Sequence, residues 1–475
     1  MSNVVVGSRE RTSRTASIGW SAIFIYGLIS ALLIALKLGS LVNIVFPMGA
    51  LAVGLTLYTL DPPLYAGFIW WLCFLSPFVR RLADFSGSYT APSPILLAPY
   101  LAILVALPTF VQKLPSTLRK GGFPFILAAF GILYGYFVGC AIGSPFSATL
   151  GLLEWFSPVI FGFYFFLNWR SYPQNKVATQ KAFIWGLLLM GAYGIYQYLV
   201  APDWERFWLV NFIGEDPSTI ILLGTPFGTP EPLGIRVWST MNGPYTFASF
   251  IIPGLLFLLS YSGPLQPLIS AVGYLSFLLS LSRTAWVGWL VSMSAFFVTL
   301  KPNQQMRFIA LIVVSLLATL PFVITGPFSD LLSSRIESLF NISNDGSGAE
   351  RAETYQALLG RAFTSFLGYG LGNVPDVGTV LDSAILLILF ELGLFGAIPY
   401  LLGLLLFVSR NSSSSLAKAD TFLGVSKSFA FGSLFMFPLA PILNTETAIA
   451  LWGFVGLKLA GNRFYNSIEK RSHLT

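Results

Sequence analysis

The chain has 475 residues, 55% of them hydrophobic and only 10% charged, against about 25% charged in a soluble domain. So few charges cannot hydrate an ordinary soluble surface, and the sequence reads as an all-α polytopic integral membrane protein. The net charge of +7 is spread through short loops without a dense run, so nucleic acid is excluded as a partner and the lipid bilayer is expected.

In chain order, a basic tail (1–18) precedes fourteen apolar segments: 19–36, 41–59, 63–79, 93–110, 122–140, 148–167, 182–201, 244–262, 264–281, 284–300, 307–325, 382–407, 421–443 and 446–460. Several are short, which leaves twelve to fourteen spans at about 20 residues each. The run Ile18–Leu36 is long, lacks a small-x-small cleavage site and reads as an anchor. The spans fall into an N-terminal group (19–201), a core group (244–325) and a C-terminal group (382–460), with a tail at 461–475.

Most Lys and Arg fall on one side of this plan, including Arg9, Lys120, Arg170, Lys176, Arg410 and Arg463. The positive-inside rule makes that side cytoplasmic and puts both termini there. Two long loops, 202–243 and 326–381, then lie on the other side. Trp204, Phe207, Trp208 and Phe212 recur at helical spacing, which predicts a helix lying in the interface. In the second loop Leu331, Leu332, Ile336, Leu339 and Phe340 make an apolar helical face. A break at 341–348 and a polar helix from about 350 to 364 follow. Residues 411–415 read as a flexible turn.

Cys73 and Cys140 sit in apolar runs and read as buried thiols, and the only histidine is His473. That excludes a histidine metal cage, a Ser/His/Asp triad and a histidine base within the folded body; no metal or cofactor is expected. The remaining candidates are charges in or against the hydrocarbon, where each needs a reason. Arg283 stands between two apolar runs, either as a snorkelling helix end or as a bidentate anion grip. Arg236 precedes Asn242 and Pro244, with Asn242 expected to cap the next helix and Pro244 to fill its first turn. Two arginines beside a helix start make a pyrophosphate cradle; the alternative for Arg236 is a solvated loop residue. Asp382 opens a span as N-cap or as a base, whereas Glu391 and Glu154 read as paired or protonated carboxylates within spans.

Four stretches, in order, resemble the O-antigen ligase and O-antigen polymerase superfamily of bacterial envelope glycosyltransferases. They are Arg236–Pro244, Ser282–Trp286, Phe366–Asn373, and Asp382–Gly396 with its Phe390-Glu391-Leu392-Gly393 run. The resemblance covers about 200–410. It implies metal-independent, inverting transfer of a glycan from undecaprenyl pyrophosphate to a glycan or lipid acceptor, at the periplasmic face of the inner membrane. Carried over, Arg236, Arg283 and Arg351 would hold the pyrophosphate and Asp382 would be the base, with Asn242 and Glu391 in support. Partners in a polysaccharide assembly and export complex would follow. Many ligases carry His where this chain has Asp382, which favours an O-antigen or exopolysaccharide polymerase over a ligase. Relatives proposed as inorganic-carbon transporters supply the alternative, transport of a small anion such as bicarbonate.

Overall fold

The computed structural model describes residues 2–213, 236–258, 261, 263–324, 346–374, 383–410, 414–443 and 446–472. It is an all-α polytopic membrane protein; among the described residues there is no strand. The helices of the first half are α1 (Ser2–Ala35), α2 (Gly39–Leu60), α3 (Pro62–Ser86), α4 (Ala98–Leu104), α5 (Leu107–Thr117), α6 (Phe123–Ile142), α7 (Pro145–Leu167) and α8 (Tyr172–Val200). After α9 (Asp203–Ile213) come α10 (Pro244–Phe257), α11 (Gln266–Leu279), α12 (Arg283–Thr299) and α13 (Pro302–Ile324). The last group is α14 (Gly346–Thr364), α15 (Ala384–Ser409), α16 (Ser415–Ala419), α17 (Thr421–Phe435) and α18 (Glu446–Ser472).

Seven of the described helices are long and apolar enough to cross a membrane: α1 from Ser17, α2, α3, α6, α7, α8 and α15. Counting α4 and α5, which meet at 45°, as one broken span makes eight; this is the form taken by the segment expected at 93–110. The later expected spans are helical too, but α10 and α11 hold 14 residues each, α17 15 and α12 17. A perpendicular span needs about 20. The polar helix expected from 350 is α14, while the apolar face at 331–340 lies outside the described residues.

Local chemistry sets the helix starts. Asp61 caps α3 by accepting the Leu64 N–H at 3.1 Å, with prolines in the first turn, and Ser144 does the same for α7. Packing relies on backbone approach at small residues. A Cβ on Gly131 of α6 would strike the Gly396 carbonyl of α15, and one on Gly456 of α18 would strike Gly162 of α7. Between these seams lies an aromatic core. Trp70 has ring neighbours Phe161 and Phe183 at 5.0 and 5.1 Å and donates its indole N–H to Thr179. Such pairs add about 0.5–1.5 kcal/mol each beyond their area. Much of the aromatic content therefore packs inside; other rings, such as Phe24 and Phe137, face outward, where lipid is the apolar partner.

Two ends of the bundle differ in chemistry. Lys176, near the start of α8, pairs with Asp420 at 2.7 Å, whereas Gln197, near its finish, bonds the 238–239 backbone. Helical rise separates these two residues by roughly 30 Å. The end holding residues 236–243 is called the loop end below, and the end holding Lys176, Arg410 and Arg463 the basic end. Cys73 is a buried free thiol as expected, and Cys140 is free but half-buried.

Candidate functional site

At the loop end, the last two turns of α3 carry Arg80 and Arg81, and Arg81 is fully buried. An isolated buried guanidinium is costly, so the surroundings must supply acceptors and a counter-charge. Arg81 Nη1 donates to the Met241 carbonyl at 2.6 Å and Nη2 to the Ser239 carbonyl at 2.5 Å. Its Nε lies 2.8 Å from Glu205 Oε2, a charge contact off the ideal hydrogen-bond angle. Glu205 is equally buried and accepts from Tyr193 Oη at 2.5 Å and from Trp238 Nε1 at 2.9 Å. Gln197 completes the frame by accepting the N–H groups of Trp238 and Ser239 at 3.1 and 2.8 Å. Ser239 can hold its left-handed φ of 50° because these bonds over-determine it.

This network is what shapes the 236–243 segment that carries Arg236. The helix predicted from Trp204, Phe207, Trp208 and Phe212 is present as α9; Trp208 is buried, with the Arg80 and Arg81 guanidinium carbons 5.8 Å from its ring, whereas Phe212 is exposed.

Arg236 is half-buried, and the next residue, Val237, donates its N–H to the Leu279 carbonyl at 3.3 Å. Leu279 ends α11, and a tight turn through Leu281 (φ 51°) leads to Arg283, the first residue of α12. The two arginine-bearing segments are therefore joined at one place. Asn242 does not cap α10: the cap position is Gly243, one residue later, and the Asn242 Oδ1 is buried without a hydrogen-bond partner. Pro244 occupies the first turn as expected.

Below these helix starts a narrow cleft separates α10, α12 and α17, lined in part by Tyr245, Ser249, Ala285, Ser292 and Ser433. The lining also includes Met436 and Ile442. The start of α15 is fastened to the segment between those two residues: Ala384 N–H donates to the Ala440 carbonyl at 3.0 Å, and Ser383 Oγ to Phe437 O at 3.3 Å. The cap of α15 is Ser383, whose Oγ accepts the Leu386 N–H. The capping role expected for Asp382 thus falls to its neighbour, whose hydroxyl stands one position nearer the orphan N–H groups. Asp382 itself lies outside the described residues. Arg351 lies in the first turns of α14, and its side chain is outside the described set.

Glu391 joins two of the motif stretches. Its Oε2 accepts from Trp155 Nε1 at 2.5 Å and its Oε1 from the Gly372 N–H at 3.4 Å. Two residues later α15 is interrupted, with Gly393 at φ 58° and ψ −179°, a region open essentially to glycine alone. The freed groups are exchanged with the turn before it. Leu394 N–H bonds the Phe366 carbonyl at 3.0 Å, and Phe390 O accepts the Tyr369 N–H at 2.7 Å. Gly368, Gly370 and Gly372 all take positive φ, and a Cβ on any of them would strike backbone of α15, α6 or α7. Irregular backbone at this depth is tolerated because protein satisfies it. Glu391 is thus a hydrogen-bonded tie between turn and helix.

The fold defines a polytopic α-helical membrane protein, with a narrow cleft among α10, α12 and α17 whose lining holds no arginine; Arg236 and Arg283 stand on the segments leading into two of those helices. No family model, no characterised protein and no solved structure matches the chain. The residues missed from sequence are Arg81 and Glu205. A signal was there, since Arg80 and Arg81 close an apolar run and meet the same criterion that singled out Arg283.

Proposed function

We propose that the chain is an envelope glycosyltransferase that moves a glycan from undecaprenyl pyrophosphate to an acceptor hydroxyl, as a polysaccharide polymerase or ligase. The loop end then faces the periplasm of a bacterial inner membrane, and both termini are cytoplasmic. Arg236 and Arg283, with Arg351, take the pyrophosphate, and Asp382 takes the proton of the acceptor hydroxyl. The acceptor oxygen forms the new bond to the anomeric carbon as the bond to pyrophosphate breaks, with inversion. The charge left on the departing lipid pyrophosphate is what the guanidiniums offset.

One juxtaposition carries this reading. The Val237–Leu279 backbone bond joins the Arg236 and Arg283 segments, and the start of α15, with Ser383 next to Asp382, is tied to Phe437 and Ala440, between the cleft residues Met436 and Ile442. The first turns of α10 and α12 line this same cleft through Tyr245 and Ala285, which favours an anion there.

A second reading, membrane transport of a small solute, draws on the interruption of α15 at Gly393 beside buried Glu391, since discontinuous helices mark many transporter sites. The experiment compares lipid-linked intermediates and surface polysaccharide in cells carrying the wild type, a deletion, or Arg283→Ala at equal expression. Accumulated single repeat units with loss of long chains make it a polymerase, and long chains stranded on lipid make it a ligase. Unchanged profiles in both mutants refute the transferase, and solute uptake is then measured.

A further inference from the structure

The basic end carries a cluster that none of this uses. Arg463, on α18 beyond its apolar stretch, lays its guanidinium 4.8 Å from the Phe166 ring centroid and 5.2 Å from that of Trp169. Arg170 covers the same Trp169 at 5.4 Å. Arg463 spends one donor on the Phe166 carbonyl at 3.3 Å, out of five that a guanidinium offers. Arg410, just past the end of α15, lies against Gly121, where an added Cβ would collide with its Nη1. Lys458 of α18 bonds the Phe407 and Val408 carbonyls, which brings the stretches carrying Arg463 and Arg410 to the same end of these two helices; burial first, and then Arg410, hold the Arg463 guanidinium below its usual range.

No acid answers these charges. Arg170, Arg410 and Arg463 form no ion pair among the described residues. The acids at this end are engaged elsewhere, Asp420 by Lys176, Tyr172 and Tyr465, and Glu469 by Ser414 and Ser415. The negative end of α15 is itself answered by Lys458, whose Nζ donates to the Phe407 and Val408 carbonyls at 3.1 and 2.7 Å. One guanidinium stacked on two aromatic rings and a second, exposed one at the same end, both without an acid, favour an oxyanion.

The surroundings say which kind. Leu402, Leu405 and Leu406 are exposed along α15 up to Arg410, and Phe123 is exposed beside the Gly121 turn. An apolar surface thus runs directly below the charges, as an acyl chain requires and a free ion does not. We propose that Arg410 and Arg463 grip the phosphodiester of an anionic membrane phospholipid, with its chains along α15 and Trp169 at the headgroup level.

The test uses the full chain, purified in detergent, with dioleoyl phosphatidylglycerol, dioleoyl phosphatidylcholine or inorganic phosphate added. Native mass spectrometry counts retained lipid, and thermal unfolding reads stabilisation. Wild type is expected to retain phosphatidylglycerol over phosphatidylcholine and to melt higher with it. Each arginine lost is expected to cut retention about fivefold. Exposed Arg410→Gln reports even if the double variant R410Q/R463Q fails to fold, and R410K/R463K is expected to keep most of the effect. Equal retention of both lipids, or an Arg410→Gln variant that behaves as wild type, overturns the proposal. So does stabilisation by inorganic phosphate alone, which would make this a free-anion site.

Discussion

Replacing Arg81 by Met keeps an apolar stem of similar reach and removes the guanidinium. Three consequences follow from the geometry. The Ser239 and Met241 carbonyls lose their Arg81 donors, Glu205 is left buried with no counter-charge, and Ser239 keeps its left-handed conformation only through its bonds to Gln197 and Met190. Breaking one partner of a buried pair costs about 3–5 kcal/mol. Most of it should fall on the segment 236–243, which packs through this network. Local opening there then becomes roughly a hundred- to several-thousand-fold more frequent, since 1.4 kcal/mol is a factor of ten. Hydrogen exchange followed by mass spectrometry reads this directly at the Trp238 and Ser239 amides, now bonded to Gln197. Glu205→Gln removes the orphaned charge, so the double variant R81M/E205Q should cost clearly less than the sum of the single changes. Unchanged exchange across 236–243 in Arg81→Met, or strictly additive costs, refutes the account of Arg81 as the residue that positions this segment.

Two further outcomes are expected. Gly393→Ala forces a side chain into a glycine-only conformation and against the Leu367 backbone. It should destabilise by more than about 3 kcal/mol and lower the melting temperature sharply. Gly360→Ala, on an open face of α14, should leave it level or slightly raised. At the basic end, burial alone would lift the Asp420 carboxyl, but the Lys176 ammonium and two tyrosine hydroxyls outweigh it and hold it below the usual carboxylate range. A depressed folded value stabilises above the unfolded one and is lost as pH falls through it. Acid-induced unfolding below about pH 4 should therefore be less steep in Asp420→Asn, which is also less stable at pH 7. Melting curves from pH 3 to 7 decide this, and parallel curves for the two proteins would refute it.

The membrane class, the helical runs and the places where arginine segments meet helix starts were legible because hydropathy and charge report directly on solvent. Even the α9 helix could be read from the spacing of Trp204, Phe207, Trp208 and Phe212. What the residues face was not legible. Hydropathy ranks Phe165 and Phe24 alike, yet one is buried within the bundle and the other faces outward. Caps slipped by one residue at Gly243 and Ser383 because several capping candidates stand side by side there, and only backbone geometry chooses between them. The pairing of Arg81 with Glu205 joins residues 124 positions apart, a distance that no local pattern carries. The interruption at Gly393 was hidden for a related reason. A glycine within an apolar run looks like a packing contact until the partner that takes its neighbours' hydrogen bonds is known.

That exchange bears on how the chain is assembled at the ribosome. Grooves on α6 and α7 are left open by Gly131, Gly135, Gly139 and Gly162, and residues from 371 to 456 fill them. More than two hundred residues must be synthesised after these helices before their partners exist. The first half therefore waits in lipid with its seams unfilled, and the late helices enter between early ones instead of stacking beside them. The seam on α7 closes only once α18 has emerged and brought Gly456 against Gly162.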